Sequence, residues 1–311
     1  MLPLFDNYYS MKKVVSALIL NILTIAVFAQ SNVRLNNFWE KSYTINPASV
    51  NDRYFAEFNM AARKQWTNFP GAPTTLFASG TLYFDQMKTQ FGLKVLQDKI
   101  GYTSATNLGL SYTYFLVLDR DWHLNLGLGM SYQSVGYDLS KVNSPTPNDP
   151  TVYAKLLNES NFNSDLGIEL QGKKWQFGLS SQNIFSLFQP INSQFTNTNY
   201  IYAKYKPMDE RKISLGYGLC GIQYGNLYQA ELNLTSYFKF DPESNPIQLG
   251  VFFRTYSEVG VLFGLDIAHN LRLSYSYDYN VSGIGNSSYG SHELMLTYNI
   301  DRIFQCKNCW Y

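Results

Sequence analysis

Three histidines, three cysteines and a few charges set inside alternating stretches are the residues of this 311-residue chain that could do chemistry. His123, His269 and His292 lie far apart in sequence, and none stands in a Ser/Asp pattern that signals a triad. Such sets are recognised by geometry, so Ser and His from distant strands stay open as the route to a membrane hydrolase. His123, beside Trp122 where a turn meets a strand, reads as part of an interfacial belt. His269 reads as a turn residue and His292 as a strand start. The chain holds no P-loop, HExxH, calcium loop or dinucleotide fingerprint. Cys220 lies in an alternating run and reads as a small buried or lipid-facing residue. Cys306 and Cys309 form a C-x-x-C in the tail. A short-loop disulfide suits an oxidising compartment, zinc would need two more ligands that are not nearby, and a thioredoxin-like site would need a βαβ context that is missing. The expectation is a non-enzymatic protein with no catalytic, metal or cofactor-binding residue.

Two polar clusters remain. Arg63-Lys64-Gln65-Trp66 runs into Gly71-Ala72-Pro73-Thr74-Thr75, and Asp98-Lys99-Ile100-Gly101 follows one hairpin later. The plain reading is turn chemistry: Gly71 and Gly101 permit positive φ, Pro73 stiffens the chain, Trp66 anchors at an interface, and Asp98 and Lys99 are solvated turn charges. Arg63 and Lys64 resist that reading. Neighbours on a strand point to opposite faces, and charges at membrane depth are costly unless they face an interior or a partner. The sharper expectation is a partner-docking surface made by Arg63, Gln65, Trp66, Gly71, Pro73, Thr74, Asp98 and Lys99.

The elements that would carry these residues are strands. Charged residues make up 15% of the chain and aromatics 16%, with 25 Tyr and 21 Phe. That is a low charge for a soluble domain and suits a surface that faces lipid between aromatic belts. Lys+Arg total 24 against Asp+Glu 23, so no polyanion is drawn by net charge and nucleic acid is not an expected partner. Met11-Lys12-Lys13, the apolar Val14–Phe28 and the small-residue end at Ala29 read as a secretory signal over 1–29, with Met11 as the true start. No later run is long enough for a transmembrane helix. Fourteen alternating stretches follow, from Tyr54–Trp66 to Glu293–Ile300. Leu124-Asn125-Leu126-Gly127-Leu128 shows the period of two most plainly.

With the mature N-terminus in the periplasm, connections such as Asp85–Lys88, Asp119–Asp121, Gly172–Lys174 and Ala268–Asn270 are short. The long ones, Gly136–Ser160, Asn183–Asn199 and Asn280–His292, all fall on the other side, which is the asymmetry of an outer-membrane barrel. Backbone in hydrocarbon must pair internally, so such a sheet has to close. The expected fold is an all-β transmembrane antiparallel up-and-down barrel over 54–300, with a periplasmic segment or plug at 30–53 and a periplasmic tail at 301–311. It would lie in the outer membrane against lipid.

The order Asn46-Pro47-Ala48, Arg63-x-Gln65-Trp66, Gly71-Ala72-Pro73-Thr74-Thr75 and Asp98-Lys99-Ile100-Gly101 resembles the PorP/SprF family of type IX secretion system outer-membrane proteins of Bacteroidetes. The resemblance implies a non-enzymatic barrel that helps exported proteins reach or stay on the cell surface. In gliding species the implied cargo is a large adhesin with a C-terminal sorting domain. Periplasmic components that link to peptidoglycan and to the secretion ring are implied as further partners. The other reading held open is a passive channel or a hydrophobic-solute transporter of the outer membrane.

Overall fold

A computed structural model describes residues 34–138, 158–188, 196–207, 212–239, 247–255, 258–281, 285 and 287–302. The segment 1–29 expected to be a secretory signal, the Cys306/Cys309 pair, and residues 139–157 and 189–195 of the two longest connections lie outside the described residues. Fourteen strands follow in chain order: β1 Tyr54–Lys64, β2 Thr74–Phe84, β3 Thr89–Ile100, β4 Thr103–Val117, β5 Trp122–Tyr137, β6 Glu159–Gly172, β7 Trp175–Gln182, β8 Thr198–Tyr205, β9 Ile213–Tyr224, β10 Leu227–Phe238, β11 Ile247–Arg254, β12 Glu258–Ala268, β13 Leu271–Asn280 and β14 Ser291–Asp301. Each pairs antiparallel with its sequence neighbour, and β1 pairs with β14 to close the barrel. Closure removes the open edges that hydrocarbon would leave unpaired. Among the described residues no helix is long and apolar enough to cross a membrane, and the chain crosses with strands.

The wall is inside-out relative to a soluble protein. On β5, Leu126, Leu128, Met130 and Tyr132 are exposed, whereas His123, Asn125, Ser131 and Gln133 are buried. The same alternation runs round the barrel, because a period of two puts every second side chain on the outer face. Outward aromatics form girdles. At the short-turn end Phe55, Phe84, Phe91 and Tyr112 follow one another at ring spacings of 6.0, 5.9 and 5.4 Å. Trp122, Phe177, Trp175, Tyr205 and Tyr217 continue the belt on β5 and β7–β9. At the opposite end Tyr132 lies 5.3 Å from Phe162.

Two expectations are corrected. His123 is not in the interfacial belt: Trp122 takes the outward position, so His123 turns inward and stacks on Phe115 at 4.1 Å. Asp98 is not a solvated turn charge. β3 continues to Ile100, so Asp98 is an inward strand residue, buried, and accepts a 2.5 Å hydrogen bond from Thr75.

Residues 34–53 occupy the barrel's interior. They contain two short 3-10 turns, Asn36–Trp39 and Ser42–Thr44. The segment touches strands on all sides: Glu57 on β1, Gln90 on β3, Ser111 and Thr113 on β4, Ser180 on β7, Tyr202 and Lys204 on β8, and Glu293 on β14. Inward glycines make room for it. A Cβ on Gly127 would stand 2.4 Å from Ala48 N, and one on Gly167 would stand 2.0 Å from Asn46 Oδ1, both well inside contact distance. Phe38, Trp39 and Ile45 pack with Tyr200, Tyr202, Cys220, Ile222, Phe252 and Leu262, so the apolar core sits between this plug and one side of the wall.

Candidate functional site

The motif at the long-loop rim folds into one unit. After β1, Gln65 N–H donates to Pro73 O at 3.0 Å, Thr67 N–H donates to Gly290 O at 2.8 Å, and Tyr289 N–H donates to Thr67 O at 2.9 Å. Gly101 N–H donates to Gly71 O at 3.0 Å, which ties the β1–β2 connection to the β3–β4 turn. Gly71 and Gly101 have φ of 73° and 58°, as their type suggested. Trp66 and Asn68 also sit at positive φ, 45° and 72°. For a bulky residue such as Trp this is a strained conformation of order 1–3 kcal/mol that the surrounding bonds hold, and strain of that kind concentrates at functional positions.

The eight residues expected to dock a partner divide in two. Gln65, Trp66, Gly71, Thr74 and Lys99 keep access to solvent at this rim, whereas Arg63, Pro73 and Asp98 are buried. Lys64 and Arg63 take opposite faces, Lys64 outward and Arg63 inward. The Arg63 guanidinium meets Asp278 at 2.9 Å and Glu293 at 3.4 Å, with all three side chains sequestered. Arg63 therefore ties β1 to β13 and β14 inside the barrel, through carboxylates that also bind the plug, rather than offering a rim charge. Arg63 and Glu293 are also directly opposed across the β1–β14 seam, so their pairing stands where the barrel closes.

Around that pair runs a charged network that sequence reasoning missed. Glu293 accepts the backbone N–H of Asn36 at 2.7 Å and of Asn37 at 2.9 Å. Asn36 Nδ2 donates to Asp278 at 2.5 Å, and Arg254 donates to Asn36 Oδ1 at 2.9 Å. Glu231 accepts from Arg254 at 2.8 Å, from Arg34 at 2.6 Å and from the Trp39 indole. On the opposite wall Lys204 donates to Phe38 O, Trp39 O and Ser42 Oγ. Tyr202 donates to Glu169 and accepts from Asn46 Nδ2. Asn46 Oδ1 in turn accepts Ala48 N–H at 2.9 Å, closing an Asx turn at Asn46-Pro47-Ala48. A usable signal was present: acidic and basic residues at inward strand positions need partners when buried.

At the short-turn end the plug floors a cavity of about 420 Å³. Glu40 stands in it, 3.9 Å from both Lys206 and Arg272. Burial alone would raise the Glu40 carboxyl; the positive field of Lys206, Arg272, Lys41 and Lys204 outweighs this and brings it down to about 2. Among the described residues no group of three or more His, Cys, Asp or Glu is placed to hold a metal. Cys220 is a free thiol buried against the plug.

A closed antiparallel barrel with an apolar outer face, aromatic girdles and a polar filled interior is an outer-membrane β-barrel protein. The model of one family, type IX secretion system membrane protein PorP/SprF, matches residues 27–298. The chain belongs to that family. No curated protein matches the chain. Among solved structures the chain is similar to the CymD monoaromatic hydrocarbon channel, at 9% identity and TM-score 0.52, over 89% of this chain and 96% of that one. It is also similar to the Ralstonia pickettii toluene transporter TbuX, at 7% identity and TM-score 0.50, over 84% and 93%. At such identities the likeness is one of fold.

Proposed function

We propose that this barrel is a non-enzymatic accessory of the type IX secretion system that helps exported proteins reach or remain on the cell surface, a gliding adhesin with a C-terminal sorting domain being one such cargo. The observation that carries this reading is membership of the PorP/SprF family over residues 27–298. The filled lumen supports it, because a plug tied to strands on all sides leaves the barrel's surfaces, rather than its axis, as the working parts. On this reading the strained Trp66 rim, with Gln65, Thr74 and Lys99, faces the cell exterior and meets cargo. The short-turn end faces periplasmic secretion components.

The test is deletion of the gene followed by comparison of surface and medium proteomes. One or a few exported proteins should leave the surface while bulk secretion continues; an unchanged surface proteome overturns the reading. Restoring the gene with Trp66→Ala and Lys99→Ala should give a barrel that still shows heat-modifiable migration on gels but retains cargo poorly. A solute channel of the kind the fold-similar structures represent would instead show protein-dependent uptake. The charged, plugged interior speaks against an apolar solute passing along it.

A further inference from the structure

The cavity at the short-turn mouth is lined by eight lysine and arginine side chains against three carboxylates, Glu40, Glu57 and Asp266. Lys173 is paired with Asp121 outside the lining, and the three lining carboxylates are themselves already engaged. Glu57 is held by Lys41 at 2.6 Å, and Asp266 by Arg272 at 2.6 Å. Glu40 is shared between Lys206 and Arg272 at the loose distance of 3.9 Å. Lys239 has no ion-pair partner among the described residues, and Lys206 has half of its side chain exposed.

A second observation points the same way. Asn233 is 8% exposed and lines the cavity, yet its Nδ2 donor has no hydrogen-bond partner among the described residues. Arg272 Nε, also in the lining, has Glu40 only at 3.9 Å and no hydrogen-bond acceptor among the described residues. Buried donors are nearly always satisfied, so two orphaned donors beside Lys239, which no described carboxylate pairs, and the loosely held Lys206 describe a place for an acceptor that carries negative charge. Glu40, which already stands in this space between Lys206 and Arg272, is a carboxylate.

We propose that this cavity is a carboxylate-binding site that takes an acidic peptide segment of a partner protein on the short-turn side of the membrane. A peptide fits better than a single small anion, because the cations are spread round the mouth. Lys206 follows β8, Lys239 follows β10, Arg272 is on β13, and Lys41 and Arg53 belong to the plug. Several carboxylates spaced along one chain can engage such a ring together. Tyr43, Val50 and Tyr237 supply apolar lining between the charges. The plug floors the cavity, so the ligand docks there and is not transported. The site rests on the proposed function only for naming that side as periplasmic.

The experiment uses the full chain in detergent micelles and a short fluorescein-labelled Glu-rich peptide, read by fluorescence anisotropy. The Glu peptide should bind at least about tenfold tighter than its Gln counterpart, and raised salt should weaken it. Lys206→Gln with Lys239→Gln should cost a further about tenfold. Lys88→Gln, an exposed change at the same end but outside the cavity, should change nothing. Equal binding of Glu and Gln peptides, or insensitivity to the Lys206/Lys239 pair, overturns the proposal. Citrate that displaces the peptide at equal molar concentration also overturns it, because the ligand would then be a free small anion. These outcomes do not depend on surface retention in cells, so failure here and failure of the secretion reading are told apart.

Discussion

Glu231 shows what a single buried charge does in this barrel. It serves Arg34 and Trp39 of the plug and Arg254 of the wall at once. Its replacement by Leu strands the Arg34 guanidinium in a sequestered space and leaves Arg254 with Glu258 and Asn36 alone, and removing one partner of a buried pair costs about 3–5 kcal/mol. Glu231→Leu should therefore lower the temperature at which the folded band on gels converts to the unfolded one, and Glu231→Gln should fall between. Glu40 makes a pH-dependent contribution. Its carboxyl is brought down from 4.5 to about 2 in the folded state, so the stability it adds is present above about 4.5 and lost as pH falls towards about 2. The difference in thermal midpoint between the parent and Glu40→Gln should be present near neutrality, narrow as pH falls through that window and vanish at its lower end. A gap that does not depend on pH would mean that Glu40 acts by packing alone.

The plug and its seats are the unit at the next scale. Gly127 and Gly167 face inward on adjacent strands, and the plug backbone at Asn46–Ala48 lies where their Cβ atoms would be. Gly127→Val with Gly167→Val leaves the outer face and the ladder unchanged, so the barrel should still form and migrate as a heat-modifiable species. The plug should be displaced, and trypsin should then cut after Lys41, seen as a shortened barrel by mass spectrometry. Protection equal to that of the parent would show that the polar contacts seat the plug without these glycines. The Asn46-Pro47-Ala48 motif was visible in the sequence as a signature, and its Asx turn follows from residue type. Its seat was not visible, because the two glycines that receive it stand about 80 and 120 positions away and look like ordinary strand residues.

Across the whole molecule, a barrel of fourteen strands encloses more than its own inward side chains can fill. Here the chain's own N-terminal segment takes that space. The parent protein should be nearly silent in planar bilayers, and a variant lacking residues 34–50 that still shows heat-modifiable migration should conduct. A parent that conducts as freely as the deletion variant would place an open path beside the plug and favour the channel reading. The concentration of cations at one mouth and of the strained Trp66 loop at the other gives the two ends different surfaces, which suits a protein that meets different partners on the two sides.

The strand pattern, the even strand number and the side on which the long connections fall were written in the sequence, because the period of two and the turn residues are local properties that each strand carries by itself. The opposite faces of Arg63 and Lys64 followed from the same rule. Which inward residues meet which was decided only by closure. Arg63 finds Glu293 across a seam between the first and last strands, Asn36 reaches Asp278 and Arg254, and Asp98 turns inward because β3 runs further than its alternation suggested. Those contacts join residues far apart in the chain. Their partners depend on register and on barrel curvature, neither of which any short stretch encodes.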